Sequence, residues 1–148
     1  MDVELPRDFK EFLRLLADKG VQYLLIGGYA VGYQGYPRAT QAMDIWIAVN
    51  PENADRMVEV LHQFGFDAPE LSRDLFLKED SIIRMGVPPV RIEVATTISG
   101  VEFSQCYPAR VVDELDGVLV NTISLAHLKA NKRAAGRHRV LDDLEHLP

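Results

Sequence analysis

Two acids, a pair of adjacent glycines and a few cations carry most of the chemistry this sequence can offer. Gly27 and Gly28 follow the apolar run from Val21 to Ile26 directly. Asp44 lies near the start of a second apolar run, Met43 to Val49. A strand that ends in two glycines before a helix presents unpaired backbone N–H groups, and a helix N-terminus favours an anion. Without a Cβ, glycine lets a phosphate approach the main chain. A tight turn with no ligand would need the same glycines. Asp44, at the beginning of its strand, suits a metal ligand beside that turn. The stretch from Tyr23 to Val49 therefore has a layout for holding a phosphate chain against a metal.

Glu93 sits between Ile92 and Val94 in RIEVA. Side chains alternate along a strand, so Glu93 shares a face with Arg91 while its neighbours point into the core. An acid centred in an apolar strand needs a partner, because an unpaired buried charge is costly. Two explanations compete: an ion pair with Arg91 or another arginine, and a metal ligand shared with Asp44. The glycine turn tips the balance toward the metal. Arg38 lies in the loop between that turn and Asp44, where it can contact phosphate or pair with Glu93. Lys129, Lys132 and Arg133 fall at i, i+3 and i+4, so they share one helix face. That spacing equally describes a solvated face of last-turn cations that suit the helix dipole. Two phosphate motifs are excluded. No Gly-Lys-Ser/Thr follows the glycines, and a dinucleotide fold wants its acid at the far end of the second strand.

These residues need a scaffold. Asp8, with Glu11 three residues on, reads as a capping box opening a helix with Phe9, Phe12, Leu13 and Leu16 inside. Val21 to Ile26 reads as a central strand, Ala30 and Val31 suit a short helix that Tyr36-Pro37 ends, and Met43 to Val49 reads as the second strand. Asn50-Pro51 starts a helix that Gly65 closes. Leu71 to Lys78 reads as a helical turn or irregular chain. Ser81 to Met85 and Val90 to Ala95 form a hairpin, as do Arg110 to Leu115 and Val118 to Val120 around Asp116-Gly117. Ser124 caps a last long helix that Gly136 ends, and a short helix runs from about Val140. The expected fold is one α+β domain over residues 1–148, a mixed β-sheet flanked by helices.

Composition limits the class. The 148 residues are 47% apolar and 26% charged, which suits one globular domain. No apolar run reaches the length of a membrane span. The N-terminal MDVELPRDFK is too polar for a signal peptide, and the lone Cys106 fits a reducing cytoplasm. A net charge of −6 disfavours nucleic-acid binding by bulk charge. His62, His127, His138 and His146 show no metal-ligand spacing with each other or with Cys106. Tyr29, Tyr33 and Tyr36, and Trp46, read as packing residues.

The string LLIGGYAVGYQGYPRATQAMDIWIAV resembles the minimal nucleotidyltransferase superfamily, whose fold is shared with DNA polymerase beta. It looks closest to small bacterial members related to the AbiEii toxins of toxin–antitoxin systems. Family members carry Gly-Gly or Gly-Ser after the first strand, Asp-x-Asp opening the second, and a third acid on a neighbouring strand. Gly27 and Gly28 match the first element, Asp44 the second aspartate of the pair, and Glu93 the third acid. GYPRAT, with Arg38 and Thr40, and the C-terminal SLAHLKANKRAAGRHRVLDDLEHL also resemble the subgroup. The resemblance implies a nucleotidyltransferase that moves a nucleoside monophosphate from an NTP to a hydroxyl on RNA, protein or a small molecule. It implies Mg²⁺ held by three carboxylates, with Lys129 and Lys132 toward the triphosphate or an RNA backbone. Ala42 departs from this pattern, because it stands where the first aspartate belongs. Period-two geometry puts positions 42 and 44 on one face, and alanine offers no oxygen. Weak or absent catalysis is therefore expected, with Asp44 and Glu93 left as metal ligands. The same departure suits a non-catalytic relative that works beside a helical partner protein or as a homodimer. A second departure is GRHRV, where the subgroup has an acid near position 140; Asp143 still matches the next acid.

Overall fold

The computed structural model describes residues 5–36, 40, 42–66, 71–87, 90–136 and 138–148. Helix α1 spans Arg7–Asp18 and buries Phe9, Phe12, Leu13 and Leu16, the stripe its spacing predicts. Its start differs from expectation. Pro6 is the N-cap and makes no side-chain cap bond, so the Asp8–Glu11 capping box is not formed. Proline has a fixed φ and no N–H to satisfy, which suits a helix entry, and the cap falls two residues before Asp8. Asp8 falls in the first turn, where its charge suits the dipole.

Strand β1 (Tyr23–Ile26) is buried throughout and runs straight into helix α2 (Gly27–Tyr33). Strand β2 is Ala42–Ile47 and helix α3 is Pro51–Phe64. The Asn50 side chain caps α3 by accepting from Asn53 N at 2.9 Å. A 3₁₀ turn at Arg73–Phe76 precedes β3 (Ile82–Met85) and β4 (Arg91–Ala95). A short helix α4 (Phe103–Cys106) follows. Strands β5 (Val111–Leu115) and β6 (Val118–Thr122) turn at Asp116 and Gly117. Both turn residues have positive φ, 50° and 83°, as a two-residue hairpin of type I′ requires. Helix α5 (Leu125–Ala135) is capped by Ser124, and α6 covers His138–His146.

The six strands form one mixed sheet in the order β3-β4-β2-β1-β6-β5. Its two faces carry separate apolar clusters. On one face α1 and α3 cover Tyr23, Leu25, Met43, Ile45, Ile47, Ile92 and Val94. On the other, residues of α2, α4 and α5 join Leu24, Ile26 and Trp46. Cys106 is buried in that second cluster, as a small apolar residue would be. Among the described residues no helix is long and apolar enough to cross a membrane.

Candidate active site

Parallel pairing of β2 with β4 assembles the site. It sets Ala42 opposite Arg91 and Asp44 opposite Glu93. Antiparallel pairing with β1 sets Ile26 opposite Asp44, so the acid lies beside the end of β1 where α2 begins. Strand alternation leaves Ala42, Asp44, Arg91 and Glu93 half-buried on one face, while Met43, Ile45, Ile92 and Val94 are buried on the other. The shared face expected for Arg91 and Glu93 is thus present, and so is the one for positions 42 and 44.

Gly27 is required on two counts. Its φ is +67°, and a Cβ there would lie 2.3 Å from Asp44 Oδ2 and 2.9 Å from Asp44 Cγ. The Asp44 carboxylate rests against the main chain of the turn, in the space a side chain would fill. Gly28 is buried inside α2. Thr40 donates its hydroxyl to Ala42 O at 3.0 Å and so braces the entry to β2. Arg38 and Gln41 lie outside the described residues.

Glu93 has the arginine partners that the ion-pair explanation asks for, and it also meets Asp44. Its carboxyl is hydrogen-bonded to that of Asp44, and this bond is the first reason it titrates below the usual carboxylate range. Burial opposes the shift; the Arg84 and Arg91 charges reinforce it. Arg84 Nε donates to Glu93 Oε1 at 2.8 Å, and Arg91 Nη1 stands 3.8 Å from the same oxygen. Sequence reasoning missed Arg84. Counting outward symmetrically from Gly-Val-Pro-Pro would put Arg84 opposite Arg91; the observed register, Met85 opposite Ile92, puts it opposite Glu93 instead. Two acids and two guanidinium groups therefore meet on one patch of sheet. Among the described residues no third His, Cys, Asp or Glu joins them to complete a metal-binding group.

The C-terminal cations are placed differently from an open basic face. Lys132 is 4% exposed, and its Nζ lies 3.2 Å from Asp143 Oδ2, itself fully buried. Helix α6 covers that side of α5, so equal spacing along α5 does not give equal exposure. Lys129 Nζ donates to the carbonyl of Pro148, and Arg133 is exposed. Tyr29 and Tyr33 pack against the α1 cluster, whereas Tyr36 stacks on His146 with ring centroids 4.3 Å apart.

A half-open cavity of about 740 Å³ lies farther along the same strands, lined by Trp46, Asn50, Thr96, Phe103, Gln105 and Tyr107 among others. Neither Asp44 nor Glu93 lines it, so this hollow and the paired acids are separate features.

No known family profile matches the chain, and no curated protein matches it significantly. Solved structures do. A provisionally assigned nucleotidyltransferase from Thermotoga maritima superposes with a TM-score of 0.63 at 15% identity, over 94% of this chain and 89% of that one. An antigenic nucleotidyltransferase-like protein from Paracoccidioides brasiliensis superposes with a TM-score of 0.55 at 16% identity, over 97% of this chain and 76% of that one. The architecture is therefore a nucleotidyltransferase fold: a six-stranded mixed sheet flanked by helices.

Proposed function

We propose that this chain is a nucleotidyltransferase-fold protein that binds an NTP beside Gly27, Asp44 and Glu93, and that Ala42 leaves it weak or inactive in transfer. The observation that carries this reading is the rung Asp44–Glu93 on the sheet, directly against the glycine turn. The reaction of such a site joins an acceptor hydroxyl oxygen to the α-phosphorus of the NTP and releases pyrophosphate. Bound Mg²⁺ would neutralise phosphate charge and activate the hydroxyl. Asp44 and Glu93 are the residues that would hold it. Hard cations want several oxygen donors. Here two acids that share a hydrogen bond face two guanidinium groups, so the patch as it stands has no surplus negative charge to attract a divalent ion. A third carboxylate at position 42, on the same face, would supply that surplus. Thr40 holds the entry to β2 in place, and Gly27 with Arg38 would face the phosphates. Lys132 fixes α6 on α5 through Asp143, and Lys129 ties α5 to the carbonyl of Pro148.

Within this reading, the resemblance of GYPRAT and of the C-terminal segment to AbiEii-related members favours kinship with that subgroup. The missing third donor also favours a second reading, a non-catalytic subunit that keeps the fold and works with a helical partner or a second copy. The two readings differ in the effect of Ala42→Asp. Mg²⁺ and ATP titrations by calorimetry, with labelled-NTP transfer assays, should show metal-dependent NTP binding and turnover rising by at least about 100-fold in that variant. Unchanged Mg²⁺ and NTP affinity would overturn the metal-site reading.

A further inference from the structure

We infer that Arg91 is the positioning residue for a carboxylate at position 42, and that Ala42 leaves this seat empty. The inference deepens the proposed function and rests on it for the role of the acid, but not for the contact itself. The site has two rungs. On the second, Asp44 and Glu93 are hydrogen-bonded to each other, and Arg84 Nε completes Glu93 at 2.8 Å. On the first, Arg91 stands opposite a methyl group. Its Nη1 stays 3.8 Å from Glu93, beyond hydrogen-bond reach, and its Nε is buried with no hydrogen-bond partner.

A buried guanidinium N–H without an acceptor is uncommon and calls for a physical reason. Glu93 already has Asp44 and Arg84 and offers this Nε nothing. The residue paired with Arg91 across the parallel ladder is position 42, on the same half-buried face. Paired strands run about 4.8 Å apart. An aspartate there would meet the Nε and Nη edge of the guanidinium, the fork that suits a carboxylate side-on. The pairing would also do chemical work. It would aim the new carboxylate and offset its repulsion from Asp44 and Glu93, which otherwise opposes gathering three acids in one place.

The experiment is a double-mutant cycle in EDTA, without nucleotide, read by urea unfolding of the full chain. Ala42→Asp is made in the Arg91 chain and in Arg91→Gln and Arg91→Lys chains. The expected result is that Ala42→Asp favours folding about tenfold more in the Arg91 chain than in Arg91→Gln, which is ~1.4 kcal/mol of coupling. Lysine keeps the charge but has no Nε–H fork, so Arg91→Lys should lose most of that coupling. In ¹⁵N spectra the Arg91 Nε–H signal should move downfield and exchange more slowly with water in Ala42→Asp. Ala42→Asn, which adds an acceptor without charge, should produce the same change if the aspartate variant folds poorly without metal. Equal effects of Ala42→Asp in all backgrounds, or full coupling retained with lysine and an unmoved Nε–H signal, would overturn the inference. Because no Mg²⁺ or NTP is present, an Ala42→Asp chain that couples to Arg91 yet never turns over would refute the proposed function alone.

Discussion

Gly27→Ala should be unusually damaging, and Gly136→Ala supplies the control. The two glycines have nearly the same backbone angle, φ +67° and +65°. A Cβ at Gly136 meets nothing within 4 Å, while at Gly27 it meets Asp44 Oδ2 at 2.3 Å. Holding an alanine in the left-handed region costs about 1–2 kcal/mol at either site. At Gly27 the carboxylate must also swing away, which breaks its bond with Glu93. A hydrogen bond to a charged group is worth about 1.5–3 kcal/mol. The acid pair is half-exposed, so that figure is discounted for solvent screening to roughly 1–2 kcal/mol. Gly136→Ala should thus lose about 1–2 kcal/mol and Gly27→Ala about 2–4 kcal/mol in urea unfolding followed by circular dichroism. An Asp44→Ala background should shrink the difference, since only the Asp44 Cβ, at 3.0 Å, would remain in the way. Equal losses at the two glycines would refute the claim that the Asp44 carboxylate occupies the space over Gly27.

The other expectations concern the scaffold. Lys132→Met should cost about 3–5 kcal/mol, because it strands a fully buried Asp143, and adding Asp143→Leu should restore most of the loss in the same unfolding assay. Asn53 accepts from Gln22 N at 2.8 Å and donates to Ala48 O at 2.8 Å and Gln22 O at 3.1 Å, tying the start of β1 to the end of β2. Asn53→Leu should lower the thermal midpoint by about 2–4 kcal/mol worth of stability, and a loss under 1 kcal/mol would count against that tie. Burial first, against a bond accepted from Asn121 N, pushes the Tyr23 hydroxyl from 10.0 up to about 12. Its neutral form is favoured in the folded chain, so its contribution is complete below pH 10 and is lost as pH rises from 10 toward 12. Unfolding free energies measured across that window, beside the tyrosinate absorbance, should fall, and Tyr23→Phe should flatten part of the slope. Tyr33, raised to about 12 by the bond it donates to Asp113, should supply some of what remains.

Patterns with a fixed local period were readable in the sequence. Alternation put Arg91 and Glu93 on one face. Asp-Gly marked the β5–β6 turn, and Asn50 and Ser124 marked helix starts. Each depends on residues close in the chain. What the sequence concealed depends on register or on coverage. Arg84 reaches Glu93 only because of how the β3–β4 hairpin is set. The need for Gly27 comes from Asp44, which arrives on another strand. Lys129, Lys132 and Arg133 share a spacing, but spacing cannot say that α6 will lie over Lys132 and leave Arg133 outside. The Asp8 capping box failed for a local reason, since Pro6 starts the helix first.

Ala42 changes charge far more than it changes packing. It lies on the half-buried face, away from the cluster that holds Met43 and Ile45, and its main chain stays in the ladder opposite Arg91. The sheet needs nothing from its side chain, so the fold accommodates alanine there, and alanine brings no oxygen donor to the acid patch. The same geometry makes Ala42→Asp an unusually clean perturbation. An added carboxylate at position 42 points away from the core cluster, so its charge and its acceptor oxygens add to the modest strand-propensity cost of aspartate. If Arg91 and a divalent ion are what that carboxylate was placed for, its addition should stabilise the chain progressively as Mg²⁺ is raised. A chain in which it destabilises equally with and without Mg²⁺ would show that the face opposite Arg91 was never built to gather acids.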